Sequence, residues 1–311
     1  MAVNTLKRGP TIDLQWGGDI AAAVASLSPY GGTIRLEYGL YALTAPLVIP
    51  EYVSIESIAG VPQSVNIDVS GVVGNPAISV SGAGVSRLRN LYFSGGGTYA
   101  NTIIGVVGSS NFRCEGCVFA DYVKAAIAIS GGTSRYNTIA DCVFEGGSAD
   151  GSVAAIDISA SAFSAEILRN SFRSLDSAFA LLATYPVTNS CDLVVRGNHI
   201  DGIQTGFYGG FAFNFAAAPA VQNLLCCDNV VNAEGGAPTS TGILIDAAGN
   251  SKAGVVCANN SVRNMTGVGA VGILTQNVPA GGPPVLVSNN ISFNNTANYS
   301  LDVDTTTSGN A

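Results

Sequence analysis

Apolar and polar residues alternate along most of this chain in short runs, and the runs recur. Leu193-Val194-Val195-Arg196-Gly197-Asn198-His199-Ile200 returns as Leu224 to Val231, as Val255 to Val262 and, less regularly, as Val285 to Phe293. With Asn as the anchor, copies sit at Asn170, Asn198, Asn229, Asn260 and Asn290. Cys142, Cys117 and Leu91 fill the same place upstream, and Asn90 reads as an anchor slipped by one. The spacings are 26, 25, 28, 28, 31, 31 and 30 residues. A period near 28 with two-residue alternation and no helical pattern predicts a parallel β-helix. Two residues past the anchor come Phe93, Phe119, Phe144, Phe172, Ile200, Val231 and Val262, with Ser292 in the last copy. Three before it come Leu88, Cys114, Ile139, Ile167, Val195, Cys226, Cys257 and Val287. Coils stacked at the inter-strand distance of about 4.8 Å lay like on like, so a Phe column grading into aliphatics is expected inside. Asn suits a sharp corner, where it tolerates the left-handed backbone and its amide can bond the Asn above and below.

A third strand per coil is marked by Ile78/Val80, Ile127/Ile129, Ile156/Ile158, Phe179/Leu181, Ile243/Ile245, Ile273 and Leu301/Val303. The expected fold is all-β, a single-stranded right-handed parallel β-helix of nine or ten coils with a short N-terminal capping helix. The chain divides into an arm (1–16), a capping helix and opening strands (17–52), the β-helix (53–303) and a frayed tail (304–311). In the second part, Asp19 caps a short helix whose apolar face is Ile20, Val24 and Leu27. Three apolar bursts follow, Thr33–Leu36, Tyr41–Leu43 and Leu47–Ile49. Two stretches read as long insertions, Ala183–Asp192 with Tyr185, and Phe207–Asn223.

Residues 17–57 resemble the N-terminal opening of the pectate-lyase-like β-helix superfamily, which includes phage tailspikes and polysaccharide lyases and hydrolases. The resemblance rests on Asp19, the amphipathic helix, Gly31-Gly32, a strand, and the turn Tyr38-Gly39-Leu40-Tyr41. With the coil repeat it extends over about residues 17–305. It implies the fold and leaves activity open, since the superfamily hosts many chemistries. The tailspike likeness further implies a homotrimer within a virion, assembled in the host cytoplasm, with other virion proteins and a host surface polysaccharide as partners.

Composition sharpens this picture. Of 311 residues, 47% are hydrophobic and only 11% charged, about half the usual charged share, with a net charge of −8. So little charge suggests an outer surface partly covered in an assembly. Outward Leu182, Leu244 and Leu274 form an apolar stripe that fits a three-fold interface. No basic patch points to nucleic acid. No apolar run is long enough to insert in a membrane, and Met1–Arg8 lacks the apolar core of a secretory signal. Seven Cys, five on inward or anchor positions, read as small buried hydrophobes; the Cys114/Cys117 pair alone is a weak metal or redox signal. No cofactor and no metal site is expected.

The chemistry is less legible. Glycosidic cleavage needs two carboxylates about 5–9.5 Å apart. Three residues past the anchor, successive coils instead give Glu145, Arg173, Asp201, Asn232 and Arg263. One before it they give Asp141, Arg169, Gly197 and Asp228. Alternating signs read as ion-pair ladders. Asp121, Asp150, Asp157 and Asp176 remain without an evident partner. His199, the single histidine, reads as a turn residue. The binding candidates are aromatic: Tyr185, and Phe207, Tyr208, Phe211, Phe213 and Phe215 in one nine-residue stretch. These would stack on sugar rings, or pack onto this β-helix or a neighbouring subunit. The leading expectation is a spike with a structural or glycan-attachment role, and the alternative is a polysaccharide hydrolase or lyase of the same fold.

Overall fold

In a computed structural model, the described residues are 9–27, 29–95, 102–147, 154–175, 179–186, 189–203, 209–215, 222–233, 241–248, 253–278, 285–302 and 305–310. They build three parallel sheets of twelve, ten and ten strands, here called A, B and C in the order the chain visits them. One strand from each makes a coil, so the described residues contain ten coils, with one extra strand of sheet A at either end. The protein is a parallel β-helix.

Coiling begins earlier than the repeat suggests. The three opening bursts are strands Gly32–Leu36, Gly39–Ala42 and Leu47–Ile49, one in each sheet. Residues 17–52 therefore already hold a complete coil. The arm, expected to be irregular, carries strand Thr11–Leu14, which pairs with Gly32–Leu36. At the far end, the stretch read as a frayed tail holds strand Thr305–Ser308, paired with Val285–Ser288. The last strand of sheet C among the described residues is Ala297–Ser300, ending before Leu301, and Val303 lies outside the described residues. Both ends reuse the ladder of sheet A, a bond pattern that short polar strands can join without a large apolar face. The helix Ile20–Leu27 covers the first coil as expected. The Asp19 carboxylate accepts from the Ala22 amide at 3.1 Å, and Ile20, Val24 and Leu27 are buried.

The interior follows the repeat. Phe93, Phe119, Phe144 and Phe172 are fully buried and stacked, with centroids 5.0, 5.1 and 4.8 Å apart. Ile200, Val231 and Val262 continue the column. As it thins, sheet C thickens: Phe211 meets Phe172 edge-on at 6.4 Å. Aromatic volume thus crosses from one wall of the core to another, keeping the cross-section filled.

The corner between sheets A and B carries the anchors. Asn170, Asn198, Asn229, Asn260 and Asn290 are buried, and each side-chain amide donates to the next Asn at 2.9–3.0 Å, ending on Asn310 at 3.3 Å. Each amide also donates to a carbonyl of the preceding coil; Asn229 donates to Val195 at 3.0 Å. The left-handed residue is not the anchor but the one before it. Asn90, Gly116, Asp141, Arg169, Gly197, Asp228, Asn259, Asn289 and Gly309 have φ between 52° and 66°. The turn is made by one residue and bonded by the next, which is why Asn90 seemed slipped and Leu91 holds the anchor place.

All seven cysteines are free and buried. Cys142 takes an anchor position with its sulfur 3.8 Å from that of Cys114, and burial pushes both thiols up. Among the described residues no group of three metal-ligating side chains occurs, and no helix is long and apolar enough to cross a membrane.

Candidate functional site

The outward face of sheet B alternates with the Phe column. At its N-terminal end, Leu40, Asn66 and Tyr92 are rung partners on three successive coils. Two aromatic side chains flank this column. Trp16 follows the arm strand and is 72% exposed; Tyr38 precedes the first strand of sheet B and is 78% exposed. With Leu40 they line a depression of about 320 Å³ together with Gln63, Ser64 and Asn66.

This shelf is held in place. A Cβ at Gly39 would sit 2.3 Å from Trp16 Cδ1, so only glycine lets the indole lie against that backbone. The Tyr41 hydroxyl, 3.0 Å from the Leu14 carbonyl and 3.1 Å from that of Glu37, ties arm to coil. The turn Pro62–Ser64 presents Gln63. The Ser64 hydroxyl donates to the Val61 carbonyl at 2.6 Å, and the Asn66 side-chain oxygen accepts from Ser94 at 2.9 Å. Flat exposed rings beside amides and hydroxyls suit a polyhydroxylated ligand with apolar ring faces.

Many of the described carboxylates pair with a basic or amide side chain on a neighbouring coil. Arg169 grips Asp141 with two bonds of 2.8 Å, Arg196 meets Asp228 at 2.8 Å, and Arg173 lies 3.7 Å from Glu145. Asp201 accepts from Asn232 at 2.8 Å. Arg35 holds Asp13 below the usual carboxylate range, chiefly by hydrogen bonding, which is the opposite of what a general acid needs. Asp157 is raised by burial, against the pull of Lys124, but its rung partners are Ala128 and Leu182. Asp121 comes near Glu145, its amide 3.3 Å from the Glu145 carbonyl oxygen. Both carboxylates add to the burial that raises the Tyr92 phenol. Asp150 and Asp176 lie outside the described residues.

The aromatic candidates are corrected. Phe211, Phe213, Phe215 and Tyr185 are 0%, 0%, 2% and 1% exposed and belong to the core, not to a glycan or subunit surface. Phe-x-Phe-x-Phe has the two-residue period of a strand. Gly209–Asn214 is indeed a strand of sheet C, running between Phe179–Thr184 and Thr241–Asp246. Tyr185 stacks on Phe215 at 4.1 Å and donates to the Asn223 carbonyl at 3.1 Å. Phe207 and Tyr208 lie outside the described residues. His199 stands exposed on strand His199–Ile203. Leu182, Leu244 and Leu274 do share one outward ladder, with Ala212 between the first two, and all three are half-buried. The shelf itself escaped the sequence reading because its parts come from three separate segments. The available signal was Tyr38-Gly39-Leu40-Tyr41, whose alternation puts Tyr38 and Leu40 outward once Tyr41 is inside.

No protein-family model and no curated protein matches the sequence. Solved structures do resemble the fold. The catalytic domain of a GH87 α-1,3-glucanase, bound to tetrasaccharides, superposes with a TM-score of 0.50 at 11% identity, covering 97% of this chain and 69% of that one. The Streptococcus pneumoniae surface protein and adhesin PfbA gives 0.49 at 14% identity over 93% and 91%. At 11% identity the likeness to the glucanase domain bears on the fold alone.

Proposed function

We propose that this chain is a glycan-binding β-helix, the spike of a phage-type particle, which attaches to a host surface polysaccharide without cleaving it. The observation that carries this reading is the pair of exposed rings, Trp16 against Gly39 and Tyr38 beside it, sharing one depression with Gln63, Ser64 and Asn66. Large exposed aromatics on a rigid scaffold bind at little entropic cost. The assembly would be a homotrimer, with other virion proteins at its base. The half-buried ladder of Leu182, Leu244 and Leu274 supports that part of the proposal, since a closed ring covers the same stripe on every copy.

A hydrolase or lyase is the second reading, favoured by two carboxylates, Asp121 and Glu145, that both act on the Tyr92 phenol. Against it, Glu145 also faces Arg173. The deciding experiment presents capsular and O-antigen polysaccharides to the purified chain and measures both affinity and polymer length. The expected result is binding that weakens at least tenfold in Trp16→Ala and in Tyr38→Ala, with polymer length unchanged. A tenfold loss corresponds to about 1.4 kcal/mol. Shortened polymer would establish the enzyme instead, and unaltered binding by both variants would remove the shelf from the account.

A further inference from the structure

Arg87 and Arg113 are rung partners on the outward face of sheet A, the only like-charged register pair among the described residues. Like charges directly opposite one another destabilise a sheet. Arg89 lies on the same strand and face as Arg87, so three guanidinium groups converge where the neighbouring rungs supply only Glu56 and Glu115. Arg87 Nη2 is paired with Glu115, but Arg87 Nε is buried and has no partner. A chain with 13 basic residues against 21 acidic ones thus gathers three of its arginines here, one with an unspent donor.

Arg87, alone of the three, lines a groove of about 770 Å³ that runs across the first coils and is also lined by Arg35 and Glu56. Its floor is a file of hydroxyls on consecutive rungs, Thr11, Thr33 and Ser54, leading to Arg87. One wall is Tyr30, 84% exposed, and Tyr52, 56% exposed. Tyr52 has φ of 65°, a left-handed conformation uncommon for an aromatic residue, and its backbone there bonds Gly32. From Thr11 to Arg87 the file spans three steps of about 4.8 Å, roughly 14 Å, enough for a short run of sugar units in line.

We propose that this groove is a second binding site, and that it takes an acidic glycan whose carboxylate is received by Arg87. The outer edge of the guanidinium, a third exposed, matches a carboxylate, the tyrosine faces match pyranose rings, and the hydroxyl file matches the sugar hydroxyls. The groove deepens the glycan-binding reading and rests on it for the class of ligand, but it lies on a different sheet from the Trp16 shelf.

The test uses the full chain with galacturonan, glucuronan and polysialic acid, each beside the same polymer with its carboxyls reduced to alcohols. At least one acidic polymer should bind tenfold or more tightly than its reduced form. That preference should vanish in Arg87→Gln, weaken severalfold in Tyr30→Ala, and persist in Trp16→Ala. Glu115→Gln, which removes the negative charge beside Arg87, should tighten binding of the acidic polymer severalfold and leave that of the reduced polymer unchanged. Tyr30 is so exposed that its loss leaves the fold intact. Equal binding of acidic and reduced polymers, or a preference indifferent to Arg87→Gln and Tyr30→Ala, overturns the groove. Loss of all binding in Trp16→Ala alone would assign recognition to the shelf and likewise overturn the groove.

Discussion

Replacing Asn229 by alanine tests the corner ladder where it is deepest. The Asn229 side-chain oxygen accepts from the Asn198 backbone amide at 2.9 Å and from the Asn198 side chain at 3.0 Å. Its own nitrogen donates to the Val195 carbonyl at 3.0 Å and to the Asn260 oxygen at 2.9 Å. Asn260 keeps the Asn229 backbone amide as a donor after truncation, so its oxygen stays satisfied. Asn198 does not fare as well, because two of its donors are left buried without partners. At about 1–3 kcal/mol for each orphaned group, Asn229→Ala should cost about 2–6 kcal/mol. The same change at Asn310 strips two donors of Asn290 at the end of the ladder, where water can replace it, and should cost under about 1 kcal/mol. Urea unfolding followed by far-UV circular dichroism measures both. Asn229→Asp adds a pH signature. One oxygen of the introduced carboxyl would still accept from Asn198. The other would face the Val195 and Asn260 oxygens and so must hold a proton. The folded pKa is then raised above the unfolded value of about 3.9, the folded state binds more protons, and stability falls as pH rises past about 4. Equal, small losses at positions 229 and 310, with no pH dependence for the carboxyl, would refute the view that the ladder works by satisfying buried donors.

Three further outcomes are expected. Phe144→Ala should cost about 3–5 kcal/mol by urea unfolding, because rings at 5.1 and 4.8 Å on either side are carried by ladders that cannot close the gap. Asp157→Asn should raise stability at neutral pH. The native carboxyl is raised by burial, so its unfavourable contribution appears as pH climbs from the unfolded value to the folded one; thermal melts between about pH 4 and 7 should be flatter in the variant. Leu244→Asp should leave the circular dichroism of the coils unchanged while reducing the mass seen by light scattering. A wild-type particle of 31.5 kDa at micromolar concentration would remove the proposed trimer.

Residues that recur once per coil were legible, because stacking makes each coil testify for the next. Phe93 to Phe172 and Asn170 to Asn290 could be aligned from spacing alone. The division of labour at the corner was not, since Asp141, Arg169 and Gly197 share a backbone conformation and no chemistry. Strand Gly209–Asn214 falls within the stretch Phe207–Asn223 that reads as an insertion in the sequence. What hid the answer was the thinning of the neighbouring column from Phe172 to Ile200 and Val231, which makes room for Phe211. Trp16 and Tyr38 have no counterpart in later coils, so no repeat could bring them to notice.

The register along each sheet has a consequence for reach. Asn229 and Asn260 occupy the same place in successive coils, as do Val230 and Ser261, which follow them. Removing residues 230–260, or repeating them, therefore returns every ladder to a like partner. The end that carries Trp16 and the end of the ladder at Asn310 would be unaltered, and only the distance between them would change, by about 4.8 Å for each coil. Such a rod is a ruler graduated in whole coils, and its length can drift in evolution without either end being redesigned.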